Sequence, residues 1–321
     1  MKPATETMEA PAGDRLASGG DDCQISVWNI GAVEARGLDP AWTAHVPEHG
    51  AVCSCTWASL STGRGPFFLI FSCVDGSIHV YRQVDGGVFE FVLKTISHTG
   101  AIEDLAFDPI HNRLASVGDS RLILWNVGPQ GALTQFIETQ PSESTARSVC
   151  FLDAGTAVLV SFLHSREVII YNIDPWRRKG YYTLPTRIGF AALGCLQRTL
   201  LVSNLATGID VYDLPPLKDS KPIRMFRHVI RKNVPLLVVS ALGDSLAFAG
   251  SDDGSVRVFD QQTGSLITTL RHGPIGTLVQ VVDAVSIDGG KCIIASATSD
   301  ERETSFDLKI WSTEIHQLAL N

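Results

Sequence analysis

Apolar and polar residues alternate along most of the chain in short runs that close with an aromatic residue. Ile25 and Val27, like Val256 and Val258, place an apolar side chain at every second position, which is the period of a half-buried β-strand. Asp-Gly, Asp-Ser and Thr-Gly pairs stand between the runs and favour tight turns. The pattern therefore predicts an all-β chain of short antiparallel strands.

One phrase recurs seven times: an apolar strand, a small polar turn, and an alternating strand that ends in an aromatic residue. The closing aromatics are Trp28, Tyr81, Trp125, Tyr171, Tyr212, Phe259 and Trp311. Their spacings are 53, 44, 46, 41, 47 and 52 residues. A unit of this size cannot bury its own faces and must stack on copies of itself. The seven units leave no room for a second domain.

The repeated phrase resembles the WD-repeat family, whose units form four-stranded blades arranged as a β-propeller. The resemblance implies one propeller domain over residues 13–321, of seven four-stranded antiparallel blades, preceded by a flexible segment at residues 1–12. That segment has little of the β-branched and aromatic character typical of a strand. Either the first blade therefore lacks its inner strand, or the C-terminal tail closes the ring differently. The ten residues after Trp311 are enough for an outer strand of the seventh blade.

The family resemblance also implies a hydrogen-bonded set in each blade: a His before the inner strand, a Ser or Thr on the second strand, an Asp in the next turn and a Trp on the third. A buried indole N–H and a tight turn both need polar partners. The third unit carries the whole set and four other units carry parts of it. In order along the chain, the matching residues are Ser18, Asp22 and Trp28; His49 and Asp75; His98, Ser116, Asp119 and Trp125; His228 and Asp253; and His272, Ser296 and Trp311. Units four and five have lost most of the set and have Ser165 and Ala206 at the Asp position, so we expect apolar packing to hold them more than polar networks do.

Composition narrows the classes of partner. The chain has 26 Lys and Arg against 34 Asp and Glu, which gives a net charge of -8 and no overall field that attracts nucleic acid or an anionic membrane. Seven scattered cysteines do not form the even framework of a small secreted domain. The N-terminus lacks an apolar signal core, and the apolar runs are about half the ~20 residues of a spanning helix. We expect a cytoplasmic or nuclear location, with neither secretion nor a transmembrane segment.

Two motifs invite a chemical interpretation. Gly243-Asp244-Ser245-Leu246 matches a string of one class of serine esterases, but it coincides with the turn into the second strand of the sixth unit and has no evident base or oxyanion hole. Cys53 and Cys55, with Cys73 on the neighbouring strand, could ligate zinc or fill tight apolar space. The second interpretation is favoured. We expect no catalytic residue, cofactor or metal.

The family resemblance implies a non-enzymatic interaction scaffold or adaptor that binds other proteins, within a multiprotein complex, through its top face. That face is built from the turns between second and third strands and the loops before inner strands. The candidate partner-binding residues are Asp21, Val74, His164, Arg166, Thr207 and Asp252 in the turns, and Glu48, Thr99, Arg187, Arg231 and Lys232 in the loops.

An alternative function rests on the basic segment that follows the fourth closing aromatic. Trp176, Arg177, Arg178 and Lys179 could bind a phosphorylated head group or another anion. The segment faintly resembles the Phe-Arg-Arg-Gly motif of phosphoinositide-binding propellers, although Trp replaces Phe and Lys179 precedes Gly180. A solvated loop with Trp176 covering the outer strand explains the same residues. Peripheral lipid therefore stays an alternative to a protein partner, while nucleic acid is not expected.

Overall fold

The fold consists almost entirely of β-strands. A computed structural model describes residues 6–9, 14–30, 39–60, 67–84, 87–214, 221–287, 290–299 and 308–314. In these ranges the chain forms 27 strands and a single 3-10 helix, Pro47–His49. The strands pair into seven antiparallel sheets, which are the blades of a β-propeller. The all-β, seven-bladed prediction is confirmed.

The chain divides into two compact units, Met1–Phe162 with Ile169–Tyr181, and Leu163–Val168 with Tyr182–Asn321. The first four blades comprise β1 Glu6–Glu9, β2 Arg15–Gly19, β3 Gln24–Asn29 and β4 Trp42–His45; β5 Val52–Ser59, β6 Phe67–Cys73, β7 Ser77–Gln83 and β8 Phe89–Ile96; β9 Ile102–Asp108, β10 Arg113–Gly118, β11 Arg121–Val127 and β12 Leu133–Glu138; and β13 Ala146–Leu152, β14 Ala157–Phe162, β15 Glu167–Asn172 and β16 Arg177–Thr183. The last three comprise β17 Phe190–Leu193, β18 Thr199–Ser203, β19 Gly208–Asp213 and β20 Arg224–Arg227; β21 Val238–Ala241, β22 Leu246–Ala249, β23 Ser255–Asp260 and β24 Leu266–Arg271; and β25 Val279–Ile287, β26 Lys291–Thr298 and β27 Leu308–Glu314.

The first blade has its inner strand. Strand β1 pairs antiparallel with β2, from Glu6 opposite Gly19 to Glu9 opposite Leu16, so the alternative of a missing inner strand does not hold. Backbone pairing satisfies the N–H and C=O groups of β2 whatever the β-propensity of the side chains. The other eight residues of the segment 1–12 lie outside the described residues. The sheet with three described strands is the last one, and residues 315–321, where an outer strand was expected, are also outside them.

Successive blades pack on each other through the apolar faces of their strands. In the first unit, Val80 of the second blade and Leu114 of the third share one buried cluster. In the second unit, Val258 of the sixth blade and Ile294 of the seventh do the same. All four side chains are completely buried, and each such burial stabilises the fold by about 1.5–3 kcal/mol. The alternating strands of the sequence thus supply the contacts between blades.

Polar side chains also link the inner strands within the first unit. The backbone N–H of Leu105 on β9 donates to Ser54 Oγ on β5 at 3.0 Å. The N–H of Val149 on β13 donates to Asp104 Oδ2 on β9 at 2.9 Å. Strands β5 and β9 therefore each accept a hydrogen bond from the next inner strand, and these side chains serve the fold.

Two turns show why their residue types are needed. Asp119 and Ser120, between β10 and β11, have φ of 47° and 65°, the left-handed pair that a two-residue hairpin turn requires. Gly76 has φ of 84°, and a Cβ there would lie 2.0 Å from the carbonyl oxygen of His98. Glycine at this position therefore lets the turn of the second blade contact the loop that leads into the third.

Candidate partner-binding surface

The hydrogen-bonded set of the third blade lies on strands β10 and β11, in the turn between them and in the loop before β9. Ser116 pairs with Ile123, two positions before the closing Trp125, so its hydroxyl faces the indole. Trp125 Nε1 donates to Ser116 Oγ at 3.1 Å, and His98 Nε2 lies 3.0 Å from the same oxygen. Burial lowers the pKa of His98 to about 4, because the charged ring would lose its hydration. His98, Ser116 and Trp125 are brought together as the sequence predicts.

Asp119, the fourth member of the set, binds the backbone of the loop before β9 rather than the His98 ring. Its Oδ2 accepts the backbone N–H groups of Thr99 and Gly100, the second at 3.1 Å, and the Thr99 hydroxyl at 2.8 Å. The carboxylate therefore fixes the path of the loop before the inner strand.

The first and seventh blades repeat the hydroxyl contact. Trp28 Nε1 donates to Ser18 Oγ at 2.8 Å, and Asp22 Oδ1 accepts the N–H of Gln24 at 3.1 Å within its turn. His272 Nδ1 lies 2.5 Å from Ser296 Oγ, and its ring meets Trp311 edge-on at 5.9 Å. In each blade the Ser again pairs with the residue two before the aromatic.

The second blade uses a direct His–Asp contact. His49 Nδ1 lies 2.6 Å from Asp75 Oδ2, and Ser77 Oγ donates to Asp75 Oδ1 at 2.6 Å. Burial alone would raise the pKa of Asp75, but the hydrogen bonds from Ser77 and His49 outweigh it and lower that pKa. Phe71 occupies the position of the hydroxyl in this blade.

The sixth blade departs from the predicted His228–Asp253 pairing. Ala249 stands at the hydroxyl position, opposite Arg257, and both ring nitrogens of His228 are buried without a hydrogen-bond partner among the described residues. Burial lowers the pKa of His228 to about 4. Asp253 instead binds Arg257 Nη2 at 2.5 Å and the Ser255 hydroxyl at 2.5 Å. The missing hydroxyl and the added arginine explain the difference.

The fourth and fifth blades, for which we expect apolar packing to outweigh polar networks, also contain polar contacts. Ser148 Oγ lies 2.5 Å from Ser161 Oγ. In the fifth blade, Asn204 Oδ1 accepts the N–H of Thr207 at 2.8 Å, and Asn204 Nδ2 donates to Asp210 at 2.8 Å. In the fifth blade, an asparagine before the turn thus takes the role of the missing turn carboxylate.

The first unit presents three of the candidate partner-binding side chains to solvent. Asp21 and Glu48 are exposed, and Val74 has 45% of its surface exposed. Thr99 is also exposed, but its hydroxyl and N–H are engaged by Asp119.

The second unit presents a larger group of candidates. Five exposed candidate residues are His164, Arg166, Arg187, Arg231 and Lys232. Arg166 Nη1 donates to the carbonyl of Pro185 at 3.2 Å, which ties its turn to the loop before β17. Thr207 is exposed, and its hydroxyl accepts a hydrogen bond from Arg227.

Asp252 does not lie at the surface as a binding residue there would. It is 3% exposed, and its Oδ2 accepts the backbone N–H groups of Arg231 and Lys232, the second at 2.6 Å. It holds the loop before β21 as Asp119 holds the loop before β9. The prediction of Asp252 as an exposed partner-binding residue is therefore wrong.

Comparison with known proteins agrees with this geometry. The family model for the WD domain, G-beta repeat, matches residues 10–29 and 90–126, which include the third strands of the two blades whose Trp binds a Ser hydroxyl. The chain is a β-propeller that is similar to WD-repeat proteins. It is 22% identical over 351 residues to WD repeat-containing protein 1 of Xenopus tropicalis, an alignment that covers 97% of this chain and 56% of the relative. The chain thus spans little more than half the relative's length. WD-repeat propellers typically serve as protein-interaction scaffolds and are generally not enzymes.

In this propeller the esterase-like string forms a structural turn. Asp244 accepts the backbone N–H groups of Cys195 and Leu196 at 2.5 and 3.3 Å. The N–H of Ser245 donates to the carbonyl of Leu242 at 3.2 Å. These contacts join the string to the preceding blade, which accounts for its residues without catalysis.

The three clustered cysteines are buried in the propeller. Cys55 and Cys73 belong to the apolar core of the first two blades. Burial raises the pKa of the Cys73 thiol to about 12, so it stays protonated, whereas zinc binds the thiolate. Over the described ranges, no three His, Cys, Asp or Glu side chains are grouped so that they could hold a metal ion.

The basic segment after the fourth closing aromatic begins an outer strand. Trp176 stacks on Tyr171 at 4.7 Å with a 10° angle between the rings, so it covers the blade. Lys179 Nζ binds Asp153 at 2.6 Å, and Arg178 lies over the Tyr181 ring at 5.4 Å. Lipid binding stays a prediction that none of these contacts favours. Where the chain is described, it forms no helix of the length and apolar character needed to cross a bilayer.

Proposed function

We propose that this WD-repeat propeller is a non-enzymatic interaction platform, and that the top-face loops and turns of its second unit bind a partner protein. The proposal rests on the different roles of neighbouring residues at the top of the sixth blade. Asp252 is buried and holds the loop, while the side chains of Arg231 and Lys232, whose N–H groups it binds, are exposed. Exposed side chains in loops are available for recognition.

The loops of this surface are held in place before any partner arrives. Besides the contacts to Asp252, the N–H of His228 donates to the carbonyl of Thr207 at 3.1 Å, and Arg166 is tied to Pro185. A surface that is already ordered loses less conformational entropy on binding than a mobile one. The proposal therefore needs no rearrangement of these loops.

Affinity purification from the native lysate at physiological salt tests the proposal. The tagged chain is compared with an Arg166→Ala, Arg231→Ala double variant, and bound proteins are quantified by mass spectrometry. Arg224→Ala is the matched control, since Arg224 lies on β20 at the end opposite to Arg227 and is exposed.

We expect specific protein partners that the double variant loses and the control keeps. If the folded double variant retains the same partners, the assignment of partner binding to this surface is wrong. Recovery of no protein above background by the folded chain would count against the platform itself.

A further inference from the structure

Two highly exposed apolar side chains lie in neighbouring loops of the second unit. Ile275 is 79% exposed and Val229 67% exposed, the highest values for large apolar residues in the described part of the chain. The loop before β25 contains Ile275 and the loop before β21 contains Val229. The two loops touch, because Lys232 Nζ lies 3.4 Å from the carbonyl oxygen of Gly276. Paired apolar exposure of this kind is typical of a contact surface.

Three cationic residues lie in these two loops or directly beside them. Arg231, Lys232 and Arg271 are exposed. The carboxylates of the adjoining turn point inward, with Asp252 bound to loop N–H groups and Asp253 bound to Arg257. Segments 228–237, 250–254 and 272–278, all described, show no exposed carboxylate. We call Val229, Arg231, Lys232, Arg271 and Ile275 the cationic loop patch.

We propose that the cationic loop patch binds an acidic peptide segment of a partner protein that carries an aliphatic or aromatic anchor between its carboxylates. The inference rests on the proposed function and specifies the chemistry of the partner. Carboxylates would pair with the arginines, and the apolar anchor would cover Val229 and Ile275. Nucleic acid fits less well, because the described segments contain no Phe, Tyr or Trp on which a base could stack, and the ring nitrogens of their two histidines, His228 and His272, are buried.

A selection from a library of random peptides of about twelve residues, displayed on phage and presented to the folded chain, provides the test. We expect the enriched peptides to combine Asp or Glu with Leu, Ile, Val or Phe. A synthetic copy, measured by fluorescence anisotropy, should bind about tenfold more weakly to Arg231→Glu and about fivefold more weakly to Ile275→Ser. Arg224→Glu, with the same charge change on the opposite end of β20, should bind as the parent chain does.

Enriched peptides without acidic residues, or binding unaffected by Arg231→Glu, would overturn the inference. So would binding of a single-stranded oligonucleotide that Arg231→Glu abolishes, since it would assign the patch to nucleic acid. Residues 300–307 of the chain itself contain acidic side chains. If the peptide binds only to a Glu301→Gln, Glu303→Gln variant, the patch would be assigned to residues 300–307 instead of a partner, which would also overturn the inference. One further outcome separates this inference from the proposed function. A partner protein could be lost in the Arg166→Ala, Arg231→Ala variant and yet contact the patch through a basic or uncharged segment. That result would support the interaction platform and overturn only the inference of an acidic peptide.

Discussion

Replacing Ser116 by alanine should be one of the most damaging single-atom changes in the propeller. The Ser116 hydroxyl is completely buried and serves two neighbours, Trp125 Nε1 at 3.1 Å and His98 Nε2 at 3.0 Å. Both neighbours are also buried, with 5% and 3% of their surfaces exposed. Removal of the oxygen leaves two polar groups with no access to water.

The cost follows from the number of groups left without a partner. One buried, unsatisfied polar group destabilises a fold by about 1–3 kcal/mol. Two such groups, sharing one lost acceptor, give an expected decrease of about 2–4 kcal/mol in the free energy of unfolding for Ser116→Ala. The loss of side-chain volume is small and adds little to this value.

Urea denaturation followed by tryptophan fluorescence measures the change. The matched control is the reverse substitution, Ala249→Ser. It puts a hydroxyl at the equivalent position beneath His228, whose ring nitrogens have no hydrogen-bond partner among the residues that the structure describes. We expect Ala249→Ser to be neutral or stabilising. A loss below about 0.5 kcal/mol for Ser116→Ala would refute the argument that its hydroxyl satisfies both groups.

Two further predictions concern the loop before the third blade. Gly76→Ala should lower the free energy of unfolding by about 2 kcal/mol or more, because the new Cβ would clash with the His98 carbonyl. The control is Gly243→Ala, at φ of 62° with nothing within 4 Å, which should lower that free energy by only about 1 kcal/mol. Equal losses in the two variants would contradict the proposed clash. Burial lowers the pKa of His98 to about 4 in the folded chain. The unfolded chain therefore binds a proton at His98 more tightly than the folded chain does. The stability that the neutral ring contributes is lost as pH falls from 6.5 towards 4. Urea titrations across this range should give a shallower pH dependence for His98→Asn than for the parent chain, and an unchanged slope would contradict the assignment.

Much of the architecture can be predicted from the repeat because the features that form a blade are local. Alternation in β7 or β23 marks a strand, and the seven closing aromatics mark the blades. The contacts of Ser18 and Ser116 with their tryptophans also follow, since register fixes a hydroxyl opposite the position two before the aromatic. The inner strand Glu6–Glu9 could not be predicted, because backbone pairing rather than side-chain propensity holds it.

The site residues are harder to predict, because turn position does not reveal the direction of a side chain. Asn204 lies before its turn and still binds the backbone there, which no carboxylate pattern would indicate. Exposed candidates such as Arg166 and Arg231 were found because charged side chains in loops seldom become buried. Asp252 lies in the same kind of turn but is buried, and its position in the sequence does not indicate this burial.

The exchange of roles between Asp252 and Asp253 has one physical cause. Arg257 is 6% exposed and stands on β23, opposite Ala249. A buried guanidinium must have a carboxylate partner, and Asp253 supplies it at 2.5 Å. Asp253 is thereby engaged by Arg257, while its neighbour Asp252 binds the N–H groups of Arg231 and Lys232. The buried arginine two positions before the closing aromatic thus accounts for the partner of Asp253, and Asp252 holds the loop that carries Val229, Arg231 and Lys232 of the cationic loop patch.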